Sequence, residues 1–175
     1  MKTKLYFFLF LSLFIVGTLN SLEDKKHTRI FYGTLEKACQ YIEKKYKLTC
    51  TATGGKALGG PITLFRLCFD IRAPLSREQL RNILIKSSKD FLSIVNSDQE
   101  VQPYLAKRPF TLENIEIIIF NNDKTGRDVC DPIIAVADIN KNGLSFQTNE
   151  PENEFAYKNT YKETYEEALK TVQEH

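Results

Sequence analysis

The chain of 175 residues contains only two histidines and no tryptophan. His27 lies near the N-terminus and His175 is the last residue, so both lie outside the predicted folded body. Imidazole is the usual general base at neutral pH, and Ser-His or Cys-His nucleophile pairs therefore lack a partner there. This scarcity argues against histidine-dependent hydrolysis.

An excess of charge of one sign is also lacking. Lys and Arg number 24 and Asp and Glu number 22, and loss of Lys2 and Lys4 with an N-terminal leader would make the two counts equal. Nucleic-acid binders usually carry a basic excess, because neutralised phosphates supply much of their affinity. We therefore expect no nucleic-acid partner and no polybasic membrane-surface patch.

The four cysteines include no C-x-x-C pair, which leaves a zinc site or a redox dithiol without support. Cys39 is predicted on the apolar face of the first helix and Cys50 just beyond that helix. We expect these two to form a disulfide, which leaves Cys68 to pair with Cys130. The alternative is four free, buried thiols. We expect no metal and no cofactor, and no residue is singled out as catalytic.

Long hydrophobic runs are absent apart from one short segment. Two lysines precede residues 5–16, which carry no charge and are dense in Leu and Phe. This layout is typical of a secretory signal peptide, and the run is shorter than the roughly 20 residues of a membrane-spanning helix. We expect a signal peptide at residues 1–21 and a single domain at 22–175, exported to the periplasm or secreted, with no stable membrane insertion after cleavage. An uncleaved leader acting as a membrane tether is the alternative.

Patterns along the mature chain predict an α+β fold. A capping box of Ser76 and Gln79 begins a long helix, and a second box, of Thr160 and Glu163, is expected to begin the last one. The remaining predicted elements are a loose lead-in at 22–32, a helix from Thr34, a Gly-rich loop at 53–61, strands at 62–72, 115–120, 133–139 and 144–148, and a hairpin turn at 140–143. We expect a mainly antiparallel sheet of about four strands, with about three helices packed on one face.

Two segments resemble ligand loops. Asp138 to Gly143 matches the start of a calcium loop, but position twelve is Asn149, which favours a hairpin turn. The loop containing Gly54 and Gly55 could cradle an anion, but it leads into a strand, which favours a flexible or packing loop.

Carboxylates in or beside strands could converge as an acid and base pair, although solvated or salt-bridged surface carboxylates are the commoner case. The candidates are Asp70, Glu113, Asp123, Asp128 and Asp131.

The order of several short segments resembles a known family. The segments are Ile94-Val95-Asn96, Gln102-Pro103-Tyr104-Leu105, Arg108-Pro109-Phe110-Thr111, Asn114-Ile115-Glu116-Ile117 and Thr164-Tyr165-Glu166-Glu167-Ala168-Leu169. Together with the preceding Gly-Gly loop they are similar to small uncharacterised exported proteins of chlamydia-related intracellular bacteria, over residues 36–173. The resemblance implies export from a bacterium living inside a host, and it implies no activity or catalytic residue.

The rigid turns around Tyr104 and Phe110 could form an ordered contact surface, or these side chains could plug the end of the core. With Gly54 and Gly55 they are the candidate binding residues. We expect an exported, non-enzymatic binding module that contacts a protein or envelope component at the bacterial envelope or host interface. The alternative is a carboxylate-dependent extracytoplasmic hydrolase.

Overall fold

The structure, a computed structural model, describes residues 2–57 and 60–173, and its described side chains are those of 24–57, 60–153 and 156–173. It shows an α+β fold with a six-stranded sheet, whose strands follow one another across the sheet in chain order. The strands are β1 (Thr49–Lys56), β2 (Leu64–Ile71), β3 (Ile115–Asn121), β4 (Val136–Asn140), β5 (Gly143–Glu150) and β6 (Asn153–Glu163). Among the pairs, β2 and β3 are parallel and the other four are antiparallel.

Three α-helices accompany the sheet: α1 (Lys2–Tyr46), α2 (Arg77–Ser97) and α3 (Tyr165–Gln173). Helix α2 crosses from β2 to β3, which is the connection that parallel strands require. It contacts both other helices, so all three lie on one face of the sheet, as the sequence predicted. We call the opposite face the open face.

The core lies between the helices and the sheet. Alternate residues of β2, such as Phe65, Leu67 and Phe69, are fully buried against the helices, whereas Arg66 and Cys68 point to the open face. The predicted capping box at the start of α2 is present, since Ser76 accepts from the Gln79 N–H and the Gln79 side chain accepts from the Ser76 N–H. The hairpin between β4 and β5 is also present, with Gly143 at a positive φ of 99°.

Four predicted elements were wrong. Residues 22–32 are not a loose lead-in but part of α1, in which Ile30 and Phe31 are buried. The predicted Gly-rich loop is strand β1 as far as Lys56, while residues 58 and 59 lie outside the described part of the chain. The chain from 153 to 163 is strand β6, and α3 begins after Thr164, one helical turn later than expected. The sheet therefore has six strands rather than about four.

The cysteines were predicted half correctly. Cys39 and Cys50 form a disulfide that fastens α1 to β1. The expected Cys68–Cys130 pair is absent, and both are free thiols. Cys68 lies in the middle of β2 on the open face. Cys130 lies in the segment leading to β4, where its backbone forms an isolated β-bridge with Asn149. The two cysteines are therefore held by different parts of the sheet.

Candidate functional site

A cavity of about 280 Å³ opens between α1 and the edge strand β1. Its helix wall is formed by His27, Thr28, Phe31 and Tyr32, and the opposite wall by Gly54 and Gly55 of β1 and by Ala57 just after it. We call this cavity the α1–β1 groove. The four helix residues are spaced so that they project from one side of α1, with Phe31 buried and Tyr32 54% exposed. The groove is therefore apolar at its base and open at its rim.

Strand β1 is the first strand of the sheet and pairs only with β2. Its other edge offers backbone groups that another strand could pair with. At the beginning of β1 that edge is covered, because the carboxylate of Glu43 accepts a 2.6 Å hydrogen bond from the Cys50 N–H and the disulfide ties Cys50 to the helix. The opposite end of the strand, at the two glycines, borders the groove.

The two glycines differ in what surrounds them. A Cβ on Gly55 would collide with the carbonyl oxygen of Leu64 and would lie 3.1 Å from the ring of Phe31. Gly55 thus lets the backbone approach both β2 and the helix closely. A Cβ on Gly54 would meet nothing within 4 Å. Gly54 therefore leaves open space next to the groove.

His27 lies at the inner end of the groove. Its ring packs against that of Tyr104, with centroids 5.2 Å apart, and its Nε2 is buried. Within the described part of the chain this nitrogen has no hydrogen-bond partner. A buried polar atom without a partner is costly, and this cost falls on a residue that lines the groove.

Two of the four predicted binding residues line the groove, and a third contacts one of its lining residues. Gly54 and Gly55 line the groove, and Tyr104 supports His27 from behind. Phe110 does not join them, because it is 2% exposed and packs against Phe65 in the core. The Asn96 side chain holds it there by hydrogen bonds to the N–H and C=O of Phe110, at 2.8 and 3.0 Å. Phe110 plugs the core and offers no contact surface.

Four of the five candidate carboxylates are held by separate partners. Asp70 bonds Arg72 and Asn122, and Glu113 bonds Lys107. Asp123 accepts from Thr125 in its own turn, and Asp131 from Thr148 and Asn159. Hydrogen bonds from Lys107, Thr125 and Thr148 are the leading causes that lower the pKa of Glu113, Asp123 and Asp131. Asp128 is exposed and lines a separate cavity with Arg127 and Glu150. The contacts of these residues thus pair none of the five carboxylates with another as acid and base.

A different carboxylate stands out on the open face. Asp138 of β4 has a raised pKa, chiefly because it is buried and secondly because of the negative charge of Glu116. Glu116 is paired with Arg66 at 2.5 Å, and Asp138 accepts a 2.7 Å hydrogen bond from Asn140. Glu116 lines a polar cleft of about 370 Å³ at this end of the sheet, together with Lys56 and Lys141.

Among the described side chains, no group of three or more His, Cys, Asp or Glu is placed to hold a metal ion. No helix in the described part of the chain is both long and apolar enough to cross a membrane.

Sequence reasoning missed the helix wall of the groove. The signal was available, since the spacing of Leu35, Ala38 and Ile42 extends backwards through Phe31 to His27 and Thr28 in steps of three and four. The charged run at residues 23–27 concealed it, because such a run is equally typical of an unstructured terminus.

Comparisons with protein-family models, with curated proteins and with solved structures found no match for this chain. The arrangement of the residues themselves is therefore the basis for a functional proposal.

Proposed function

We propose that this chain is an exported, non-enzymatic binding module whose α1–β1 groove takes an extended segment of a protein or envelope component. The observation that carries the proposal is the juxtaposition of an apolar cavity with the end of β1, whose outer edge has no paired strand in the described part of the chain. A bound segment would pair its backbone with β1 and place one side chain in the groove. This is the recognition mode called β-strand addition, in which main-chain bonds supply affinity and the pocket supplies selectivity.

The dimensions suit one side chain. A cavity of about 280 Å³ is close to the lower limit of small-molecule sites, so it is better matched to a single large apolar residue than to a whole ligand. Phe31 supplies an apolar base and Tyr32 an amphipathic rim.

Export remains part of the proposal, with residues 1–21 as a cleaved signal peptide and an uncleaved membrane tether as the alternative. The Cys39–Cys50 disulfide supports it, because such bonds persist in oxidising compartments outside the cytoplasm. The separate partners of the candidate carboxylates support a binding role over hydrolysis, and the near balance of acidic and basic residues supports a partner other than nucleic acid.

The test is selection of linear peptides from a displayed random library on three proteins. These are the wild type, Thr28→Phe, which fills the groove from its exposed helix wall, and Gln40→Phe, which makes a similar change at an exposed position of α1 outside the groove. We expect peptides that bind the wild type and Gln40→Phe and lose binding to Thr28→Phe. Selected peptides that bind Thr28→Phe as tightly as the wild type would refute the groove.

Backbone pairing is tested with synthetic copies of a selected peptide. Two copies are N-methylated at alternate residues, one at the even and one at the odd positions, so that each removes a different set of backbone donors. An added strand directs only one set toward β1, so we expect one copy to lose binding and the other to keep most of it. Full binding of both copies would exclude strand addition.

A further inference from the structure

Strand geometry adds a requirement on the charge of the partner. We infer that the segment recognised by the α1–β1 groove carries an acidic residue directly beside the apolar residue that enters the groove, which we call the anchor. We further infer that Lys56 forms an ion pair with this acidic residue. The inference rests on the proposed function, and it specifies the chemistry of the partner.

Successive residues of β1 face alternate sides of the sheet. Gly55 faces the helix layer, because its missing Cβ would point toward Phe31. Gly54 and Lys56 therefore face the opposite way, and Gly54 pairs with Arg66, whose side chain is on the open face. A strand added beside β1 alternates in the same way. If its anchor enters the groove, then the residues on either side of the anchor lie on the open face.

At this end of β1, the residues that face the open face are Gly54 and Lys56. Gly54 contributes no side chain, and Lys56 is exposed. The acids that share the polar cleft with Lys56 already have partners, since Glu116 pairs with Arg66 and Glu113 with Lys107. Within the described residues Lys56 has no ion pair. Lys56 is therefore available to pair with the residue of the bound segment that lies next to the anchor.

The surrounding charge points the same way. The part of α1 that borders the groove contains the cations Lys25, Lys26 and Arg29 against the carboxylates Glu23 and Asp24, an excess of one positive charge. A local positive field of this kind favours approach of an acidic segment and disfavours a basic one. An ion pair between exposed groups contributes only a modest binding free energy. We therefore expect Lys56 to affect the preference between acidic and basic segments more than the overall affinity.

The experiment uses three synthetic heptapeptides of alternating Thr and Val with a fluorescent label. The first has a central Phe flanked on both sides by Glu, the second has Lys in place of both Glu residues, and the third keeps Glu but has Ser in place of Phe. Affinity is measured by fluorescence anisotropy for the wild type, Lys56→Glu and Lys124→Glu. Lys124 is a matched control, because it is an exposed lysine in the turn after β3.

We expect the Glu–Phe–Glu peptide to bind the wild type about fivefold or more tightly than the Lys peptide at low salt, with the ratio falling as salt is added. Lys56→Glu should abolish or reverse this preference, and Lys124→Glu should retain it. The Ser peptide should not bind.

Two results would overturn the inference, and they differ in what they say about the groove. Equal binding of the Glu and Lys peptides to the wild type, with loss of the Ser peptide, would remove the charge requirement and leave the proposed function in place. Failure of all three peptides would overturn the inference, and it would overturn the proposed function as well if library selection also yielded no groove-dependent peptide.

Discussion

Asn121 is joined to the backbone of Leu75 in both directions. Its side-chain oxygen accepts from the Leu75 N–H at 2.8 Å, and its side-chain nitrogen donates to the Leu75 carbonyl at 3.1 Å. The same nitrogen donates to the carbonyl of Ile134 at 2.6 Å. Asn121 is fully buried at the end of β3, so one amide fixes both the approach to α2 and the approach to β4.

Replacing Asn121 with Ala should lower the free energy of unfolding by about 3 kcal/mol, because one buried and two partly buried backbone groups lose their partner. Asn142→Ala, at an exposed position of the β4–β5 turn, should change it by less than about 0.5 kcal/mol. Urea unfolding followed by circular dichroism at pH 7 measures both. Equal stability of the two variants would contradict the role assigned to Asn121.

Asn121 also illustrates what a sequence does not disclose. Strands β2 and β3, the capping box of α2 and the β4–β5 hairpin were all predicted, because alternation, cap spacing and turn residues are local signals. The partners of Asn121 are 46 and 13 residues away. Such a side chain reads only as a polar residue at a strand end until the fold brings its partners together.

The two missed strands have a common physical cause. β1 and β6 are the edges of the sheet, so they bury little apolar surface and show no clear alternation. For α3, the boxes Thr160–Glu163 and Thr164–Glu167 have the same spacing, and the structure uses the second. Pairing of β6 with β5 as far as Glu163 decides between them, and that pairing is a tertiary interaction.

One wall of the candidate site was predicted from the sequence, and the other was not. Gly54 and Gly55 attracted attention because adjacent glycines are conspicuous in any sequence. The helix wall at His27 and Phe31 was missed, since the charged run at residues 23–27 concealed the helical spacing that continues back through them. The groove exists only because the disulfide and the helix–sheet packing bring these distant segments together.

The glycines allow a paired test of the backbone at the groove. Gly55→Ala should destabilise the fold by at least about 1 kcal/mol, because the added methyl collides with the Leu64 carbonyl and the backbone must move. Gly54→Ala should be neutral or slightly stabilising, since its methyl meets open space. Thermal unfolding of the two variants beside the wild type measures the difference. A Gly54 variant as unstable as the Gly55 variant would show that the strand is positioned differently.

The cysteines give a prediction that can be counted. Alkylation in denaturant without reductant should label two residues, Cys68 and Cys130. After reduction it should label all four cysteines. Burial raises the pKa of the Cys68 thiol, so this residue should react slowly in the native protein, because the thiolate is the reactive form. Peptide mass mapping identifies the labelled residues. No label without reductant would indicate the Cys68–Cys130 disulfide that the structure lacks.

The disulfide itself should contribute to stability. Cys39 and Cys50 are 11 residues apart, and a loop of this size corresponds to roughly 3 kcal/mol of unfolded-state constraint. The double variant Cys39→Ser, Cys50→Ser should lose about that amount, whereas Cys68→Ser, at a half-buried free thiol, should lose less. Urea unfolding under identical conditions compares them. A larger loss from Cys68→Ser would contradict the assignment.

The last prediction concerns Glu163, which joins the end of β6 to α2. Its carboxylate accepts two hydrogen bonds from Arg81 and one from Arg77, all at 2.6 Å, and hydrogen bonding by Arg81 is the leading cause of its lowered pKa. A carboxylate with a lowered folded-state pKa contributes stability at pH values above its unfolded pKa of about 4.5, and the contribution is lost as the pH falls through the folded pKa.

Glu163→Gln should therefore be less stable than the wild type by about 2 kcal/mol at pH 7, and the difference should shrink below about pH 4. Urea unfolding at a series of pH values gives this difference directly, with Glu166→Gln, an exposed carboxylate of α3, as the control. A difference between Glu163→Gln and the wild type that stays constant from neutral to acidic pH would show that the two arginines stabilise the fold by packing alone.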